Sequence, residues 1–231
     1  MKIAVMSDIH GNLYALENAL KDIKKRNVDT IVCLGDLVGY GPFPNEVINL
    51  IRTENILNIK GNYDASVVDN KFSYIRDTEI NKFSLPWNVE NLTEENKLYL
   101  KNLPTEITLN YNNKNIKFVH GSPRKINEYL KENSKEAQEV MDIFEGDLLI
   151  CAHTHIPYIK QYGNKLLLNQ GSIGKPKMGR PNSTYAIIEL TEDNMHGEII
   201  EISYDYSKTM KDMKDKNFPE RIIKSIETGI E

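Results

Sequence analysis

The chain has 231 residues, of which 40% are hydrophobic and 27% charged, and its formal net charge is −4. The length suits one large α/β domain, and the apolar content is enough for a sizeable core, which excludes a disordered chain. The acidic balance argues against a general grip on long nucleic acid, and no apolar run approaches a membrane span.

KIAVMSD reads as a short buried strand ending in polar residues. GNLYALENALKDIKKRN then places Leu13, Leu16, Leu20 and Ile23 at helical spacing. VDTIVCLGD is a second buried strand, FPNEVINLIRTEN a helix, and ILNIKGNYD a third strand running into a polar turn. This βαβαβ order predicts a parallel start to the sheet. From about residue 65 to 103 the chain is helical and more polar, with Thr93 and Asn96 opening a helix, and reads as an insertion flanking the site. EITLNYNNKNIKFVHG is a hairpin around Asn112-Asn113. SKEAQEVMDIFEG is a helix, and DLLICAHTH, YIKQYGNKLLLNQGS and STYAIIELTEDNMHGEIIEISYDY are strands joined by Gly/Asn turns. A charged helix follows from about residue 207. An early β-α half and a later β-rich half predict a mixed-sheet α/β sandwich in one domain spanning 1–231. Cys33 and Cys151 lie in apolar runs, without disulfide or zinc spacing, so they read as buried thiols in a cytoplasmic protein. The first residues enter a strand pattern and lack the features of a signal peptide.

The polar residues fall at the ends of these strands. Asp8 and His10 end the first, Asp36 the second, Asn62 the third, His120 the hairpin, and His153 and His155 the strand LLICA. Ligands collect beyond the carboxyl ends of strands in open α/β sheets, so five strands aim metal-type side chains at one edge. Imidazole and carboxylate suit divalent Mn, Fe, Co, Ni or Zn. In D-x-H and H-x-H, residues two apart in an extended segment point the same way. The two oxygens of Asp36 allow it to bridge two ions. His196, in the turn DNMHGE, is given no role.

DIHGN, GD, GNYD, HGS and AHTH, in this order, resemble the calcineurin-like metallophosphoesterase superfamily, whose pattern is D-x-H, GD, GNH-D/E, H and GH-x-H. The resemblance runs from Met1 to about Leu190. DLVGYGPFPNEVI and GSIGKP are similar to its small bacterial and archaeal phosphodiesterase branch. The resemblance implies a four-layer αββα sandwich of two mixed sheets, with two divalent metal ions, manganese first and Fe, Ni, Co or Zn as alternatives. It assigns Asp8, His10, Asp36 and His155 to one ion, and Asp36 as a bridge with Asn62, His120 and His153 to the other. A hydroxide between the ions would attack phosphorus in line. Asp36, Asn62 and His120 thereby become catalytic residues. Two departures stand out: Ala152 replaces a Gly, and Tyr63 replaces the His that contacts phosphate and protonates the leaving group in relatives. Tyr63 either takes that catalytic role, with an unperturbed pKa of about 10, or packs beside the site.

Four further residues are candidates for substrate binding. Asn12 reaches the phosphate or caps the first helix. Tyr40 lines the pocket or packs under it. Arg124 and Arg180 are loop cations that bind substrate phosphate or are simply solvated. The expected function is hydrolysis of a small nucleotide or related phosphodiester. The alternatives are a phosphomonoesterase or protein phosphatase, a nuclease, and a non-catalytic scaffold of the same fold; a homo-oligomer is compatible with each.

Overall fold

In the computed structural model, residues 1–192 and 194–230 are described. The first strand, β1 (Lys2–Met6), shows why the molecule is layered. Side chains alternate across a strand, and β1 is apolar on both faces. Ile3 and Val5 join Val32, Leu34, Phe118, Ile150 and Ile188 in one core. Ala4 and Met6 join Leu16, Leu20 and Ile48 in another. Such a strand can be satisfied only between two layers.

Those layers are two five-stranded sheets. The first runs in the order β10 (Met195–Ile202), β9 (Ser183–Leu190), β1, β2 (Thr30–Cys33) and β3 (Leu57–Asn58). Here β1, β2 and β3 are parallel and β9 and β10 antiparallel. The second runs β4 (Glu106–Tyr111), β5 (Lys114–Val119), β6 (Leu148–Cys151), β8 (Lys165–Asn169) and β7 (Tyr158–Tyr162). The inner faces meet through Ile3, Val5, Phe118, Leu148 and Ile150. Helices α1 (Leu13–Lys24) and α2 (Pro44–Thr53) cover the first sheet outside. Helix α6 (Lys135–Ile143) covers the second through Ala137, Val140 and Met141 on Leu149 and Leu167. The expected αββα sandwich is therefore the fold.

Between β3 and β4 lie α3 (Asn62–Asp69), α4 (Glu79–Asn91) and α5 (Glu94–Asn102). Thr93 caps α5, accepting the Asn96 N–H at 3.2 Å. Asn112 and Asn113, with φ of 47° and 61°, make the left-handed two-residue turn that suits a twisted hairpin.

Three expectations are corrected. The third strand is only two residues long, and Asn62 opens α3 rather than ending a strand, because Asp64 accepts the Gly61 N–H at 2.9 Å and caps the helix there. The C-terminal helix is two helices, α7 (Tyr206–Asp215) and α8 (Glu220–Thr228), interrupted at Pro219, which has no N–H to continue a helix. His196 lies in β10, not in a turn; Asp193, read in that turn, is outside the described residues.

Helices α7 and α8 dock on α4 through Met213, Phe218, Ile222 and Ile223 against Ile80, Phe83 and Trp87. Trp87, the one tryptophan, packs edge-on against Phe218 at 4.7 Å. Phe218→Ala should cost about 3–5 kcal/mol in denaturant unfolding and shift Trp87 emission to the red. Unchanged emission and stability would show that α7 and α8 do not pack there.

Candidate metal centre

The ligand-type residues sit just past strand ends, and most are bent into the left-handed region. Asp8 and His10 follow β1 with φ of 51° and 50°, Asp36 follows β2 at 53°, and His153 and His155 follow β6 at 67° and 60°. That conformation costs a side-chain-bearing residue of the order of 1 kcal/mol or more. It revises the expectation from strand alternation: D-x-H and H-x-H aim both residues inward because each ligand turns individually, not because the segment is extended. Backbone bonds hold the turns, with the Asp8 N–H donating to Gly35 O at 3.0 Å and the His10 N–H to Asp36 O at 2.9 Å.

Sequence reasoning gave Asp64 no role, although it is the last letter of the GNYD motif. Its buried carboxylate accepts the N–H groups of Asp36, Leu37 and Gly61, each at 2.9 Å. One side chain thus fixes the Asp36 turn and starts α3. The two segments approach so closely that a Cβ on Gly61 would fall 2.1 Å from Asp36 Oδ1, so this position requires glycine.

What converges at the centre is acceptors without donors. His10 Nδ1 lies 3.0 Å from Val38 O, His155 Nδ1 2.5 Å from Lys175 O, and His120 Nδ1 2.7 Å from Leu34 O. A carbonyl accepts only from N–H, so each ring carries its proton on Nδ1 and points an Nε2 lone pair inward. The His10 and His155 Nε2 atoms are 3.2 Å apart. His120 Nε2 is 2.8 Å from Asn62 Oδ1, and the Asn62 amide N–H is committed to Tyr74 O at 3.1 Å. Asp8 Oδ2 is bonded by the Ser7 hydroxyl at 2.5 Å, Asp8 Oδ1 faces His155 Nε2 at 3.1 Å, and neither Asp8 Oδ1 nor His153 Nε2, both buried, has a hydrogen bond among the described residues. Lone pairs facing one another in a dry interior are costly unless cations lie between them. The donor set fits divalent metals.

Two groups of ligand atoms form, each within 4.8 Å: Asp8, His10 and His155, and Asp36, His120 and His153. Asp36 Oδ2 is 3.8 Å from His10 Nε2 and 3.5 Å from His120 Nε2, between the groups. Its Oδ1 instead accepts the Tyr63 N–H at 2.7 Å. Of the two oxygens that could serve a bridge, Oδ2 is therefore the one that faces both groups. Burial, followed by Asp8 and Asp64, pushes the Asp36 carboxyl well above its usual range, a penalty that cations would relieve. Burial also pushes His10, His153 and His155 below the usual imidazole range, keeping them neutral ligands.

The centre is the floor of a cleft of about 520 Å³. His10, Asp36, Asn62, His153 and His155 line it, as do Tyr40 and Tyr63. Tyr40 and Tyr63 pack edge-on against each other at 5.0 Å and against His10 at 4.8 and 5.8 Å. Asn12 is buried outside the cleft lining and caps α1, accepting the Ala15 N–H at 3.3 Å and donating to Gly174 O and Tyr204 Oη. Arg124 and Arg180 also lie outside the lining. Arg124 is paired with Glu128 at 2.6 Å and Glu139 at 3.3 Å, and Arg180 with Glu201 at 2.6 Å. The cations that line the cleft are Arg76, Lys177 and Arg221, which sequence reasoning missed because their loop and helix were not yet placed beside the centre.

Because Asp36 Oδ2 faces both groups, Asp36→Asn should lower metal content at both positions, whereas His155→Ala should mainly empty one. Elemental analysis after equilibrium dialysis against Mn²⁺ checks this; full loading of the Asp36→Asn protein would remove Asp36 from the bridge.

The chain is 36% identical to an uncharacterized protein of Methanocaldococcus jannaschii, across 94% of each, and 25% identical to phosphodiesterase YfcE of Escherichia coli, across 86% of this chain and 97% of that one. A metallophosphoesterase from Sphaerobacter thermophilus superposes with a TM-score of 0.84 at 27% identity, covering 100% of this chain and 99% of the other. A hypothetical protein from Pyrococcus horikoshii gives 0.87 at 25%, covering 99% and 98%. Residues 1–193 match the calcineurin-like phosphoesterase superfamily domain, and the chain belongs to that superfamily.

Proposed function

We propose that this chain is a metal-dependent phosphodiesterase acting on small phosphodiesters, built as one domain whose α3–α5 segment and C-terminal helices wall the site. The observation that carries this reading is the convergence of acceptors without donors beneath a cleft lined by three cations. Asp8, His10, Asp36 and His155 would hold one divalent cation, and Asp36, Asn62, His120 and His153 the other. When bound, two such cations supply Lewis-acid charge for the phosphate oxygens and a nucleophile at neutral pH. Imidazole, carboxylate and amide donors suit manganese, with iron, nickel, cobalt or zinc able to compete. Two buried free thiols, Cys33 and Cys151, support a cytoplasmic location, and no helix among the described residues is long and apolar enough to cross a membrane.

The chain's own groups then shape the reaction. The Tyr63 N–H turns Asp36 so that Oδ2 faces the centre. Arg76, Lys177 and Arg221 attract the anionic substrate into the cleft. The Tyr63 phenol is almost fully buried, its Oη 3.4 Å from Asn81 Oδ1, and burial pushes it above the usual tyrosine range. A phenol held that high is a poor proton donor to a leaving group. This favours esters with stable leaving anions, and the greater charge of monoesters, which resemble the substrates of relatives with His at this position, favours diesters over them. A non-catalytic scaffold is disfavoured because every ligand position carries a coordinating side chain.

The Mn²⁺-loaded protein should hydrolyse bis-p-nitrophenyl phosphate faster than p-nitrophenyl phosphate and lose both activities in EDTA. Faster monoester hydrolysis would favour the phosphatase reading, and no metal-dependent turnover on either would leave the scaffold.

Across a series of aryl and alkyl diesters, kcat/KM should fall steeply as the leaving group becomes more basic. Proton donation is typically worth about 10²–10⁴-fold, so Tyr63→His should flatten that slope. A shallow slope in the parent that Tyr63→Phe makes steep would identify Tyr63 as the proton donor.

A further inference from the structure

The arginines of this chain fall into two groups. Of six in the sequence, four are neutralised by carboxylates: Arg26 by Asp22 at 2.8 Å, Arg52 by Glu95 at 2.8 Å, Arg124 by Glu128 at 2.6 Å and Arg180 by Glu201 at 2.6 Å. Arg76 and Arg221 have no carboxylate within ion-pair distance among the described residues, and both line the cleft. They come from separate parts of the chain, Arg76 from the segment before α4 and Arg221 from the first turn of α8.

A ring contact positions Arg76, and the packing of its helix places Arg221. The Arg76 guanidinium lies 5.4 Å over the Tyr129 ring, and Tyr129 stacks on His153 at 4.1 Å and 27°. Arg76 is thus one aromatic ring away from a ligand of the metal centre. Face contact with a ring leaves the five N–H donors of a guanidinium available. Arg221 is carried by α8, whose Ile222, Ile223 and Ile226 are buried against α4. The carboxylates in the cleft lining are Asp36 and Glu79, and Glu79 is paired with Lys82 at 2.9 Å.

A solvated surface arginine needs no ligand, but here the two arginines left without carboxylates both line one cleft. The reacting phosphate would not require them: two divalent cations, if held at the floor, would outweigh the charges of Asp8 and Asp36 there. We propose that Arg76 and Arg221 form a subsite for a second phosphate, one that is not cleaved. The substrate class is then phosphodiesters that carry an additional phosphate group, such as nucleotide diesters with a further terminal phosphate. Arginine suits this role through its paired donors to phosphate oxygens. The inference rests on the phosphodiesterase reading above.

The test uses two esters that differ in one group: thymidine 5′-(p-nitrophenyl phosphate), and the same compound with a 3′-phosphate. Both release p-nitrophenolate from the same diester. With the Mn²⁺-loaded protein, kcat/KM should favour the 3′-phosphorylated ester by about tenfold or more, the scale of charge-assisted hydrogen bonds to phosphate. The preference should reside mainly in KM and shrink as salt rises. Arg76→Ala with Arg221→Ala should bring the ratio of the two substrates close to one, and the two Arg→Lys replacements should retain part of it. Both side chains are exposed, so the variants should melt with the parent. No preference in the parent, or equal losses on both esters in the double variant, would overturn the subsite and put these cations on the reacting phosphate. If the parent hydrolyses neither these esters nor bis-p-nitrophenyl phosphate, the phosphodiesterase reading itself fails; hydrolysis of both esters without preference overturns the subsite alone.

Discussion

Lone pairs that face one another in a dry interior are the constraint on which this structure depends. Three imidazoles have their Nδ1 atoms committed to backbone carbonyls, so their Nε2 atoms point at other acceptors. Asn62 is tied by its own amide N–H to Tyr74 O and presents oxygen to His120. Asp8 and Asp36 each commit one oxygen to the protein and turn the other inward. Among the described residues no protein donor resolves these contacts, and water alone would leave two carboxylates competing for charge in low dielectric. Cations held between them would satisfy all of them at once. Catalytic preorganisation of this kind needs ligands whose orientation is set before the metal arrives.

Much of the surrounding architecture serves that orientation. The two-sheet sandwich brings the ends of β1, β2, β5 and β6 to one edge, and left-handed backbone at Asp8, His10, Asp36, His153 and His155 swings the side chains inward. Such strain persists only where neighbours over-determine it. Asp64 supplies one such restraint by gathering four backbone N–H groups, those of Asp36, Leu37, Val38 and Gly61. Asn88 supplies another, bonding Gly39 O at 2.6 Å and accepting the Gly39 N–H at 3.2 Å. The α4 helix therefore reaches back to the loop that follows Asp36. With α7 and α8 packed on its far side, it also links the C-terminal helices to the cleft wall.

The sheets and the clustering of Asp and His side chains were legible in the sequence for a physical reason. Buried strands are short apolar runs, and a polar residue directly after one is conspicuous, so Asp8, Asp36, His120 and the His153–His155 pair could be seen without knowing the fold. The two-residue hairpin was equally plain, since adjacent asparagines tolerate the left-handed turn it needs. What was not legible depends on tertiary neighbours. Asn62 read as a strand end because the cap that starts α3 comes from Asp64 only once the Asp36 turn lies beside it. Arg124 and Arg180 looked available because their partners, Glu128, Glu139 and Glu201, cannot be assigned from local sequence alone. Arg76 and Arg221 looked ordinary because their convergence requires α4 and α8 to be docked. Tyr63 was visible as a departure from the family pattern, but its burial was not.

The central claim is that one carboxylate oxygen of Asp36 joins two metal positions into a single centre. Low-temperature electron paramagnetic resonance of the metal-stripped protein titrated with Mn²⁺ tests it most directly. A shared ligand couples neighbouring Mn²⁺ spins, so the second equivalent should convert the six-line signal of an isolated ion into the multiline spectrum of an exchange-coupled pair. A six-line signal that only grows in amplitude through two equivalents, or binding that stops at one, would contradict the account.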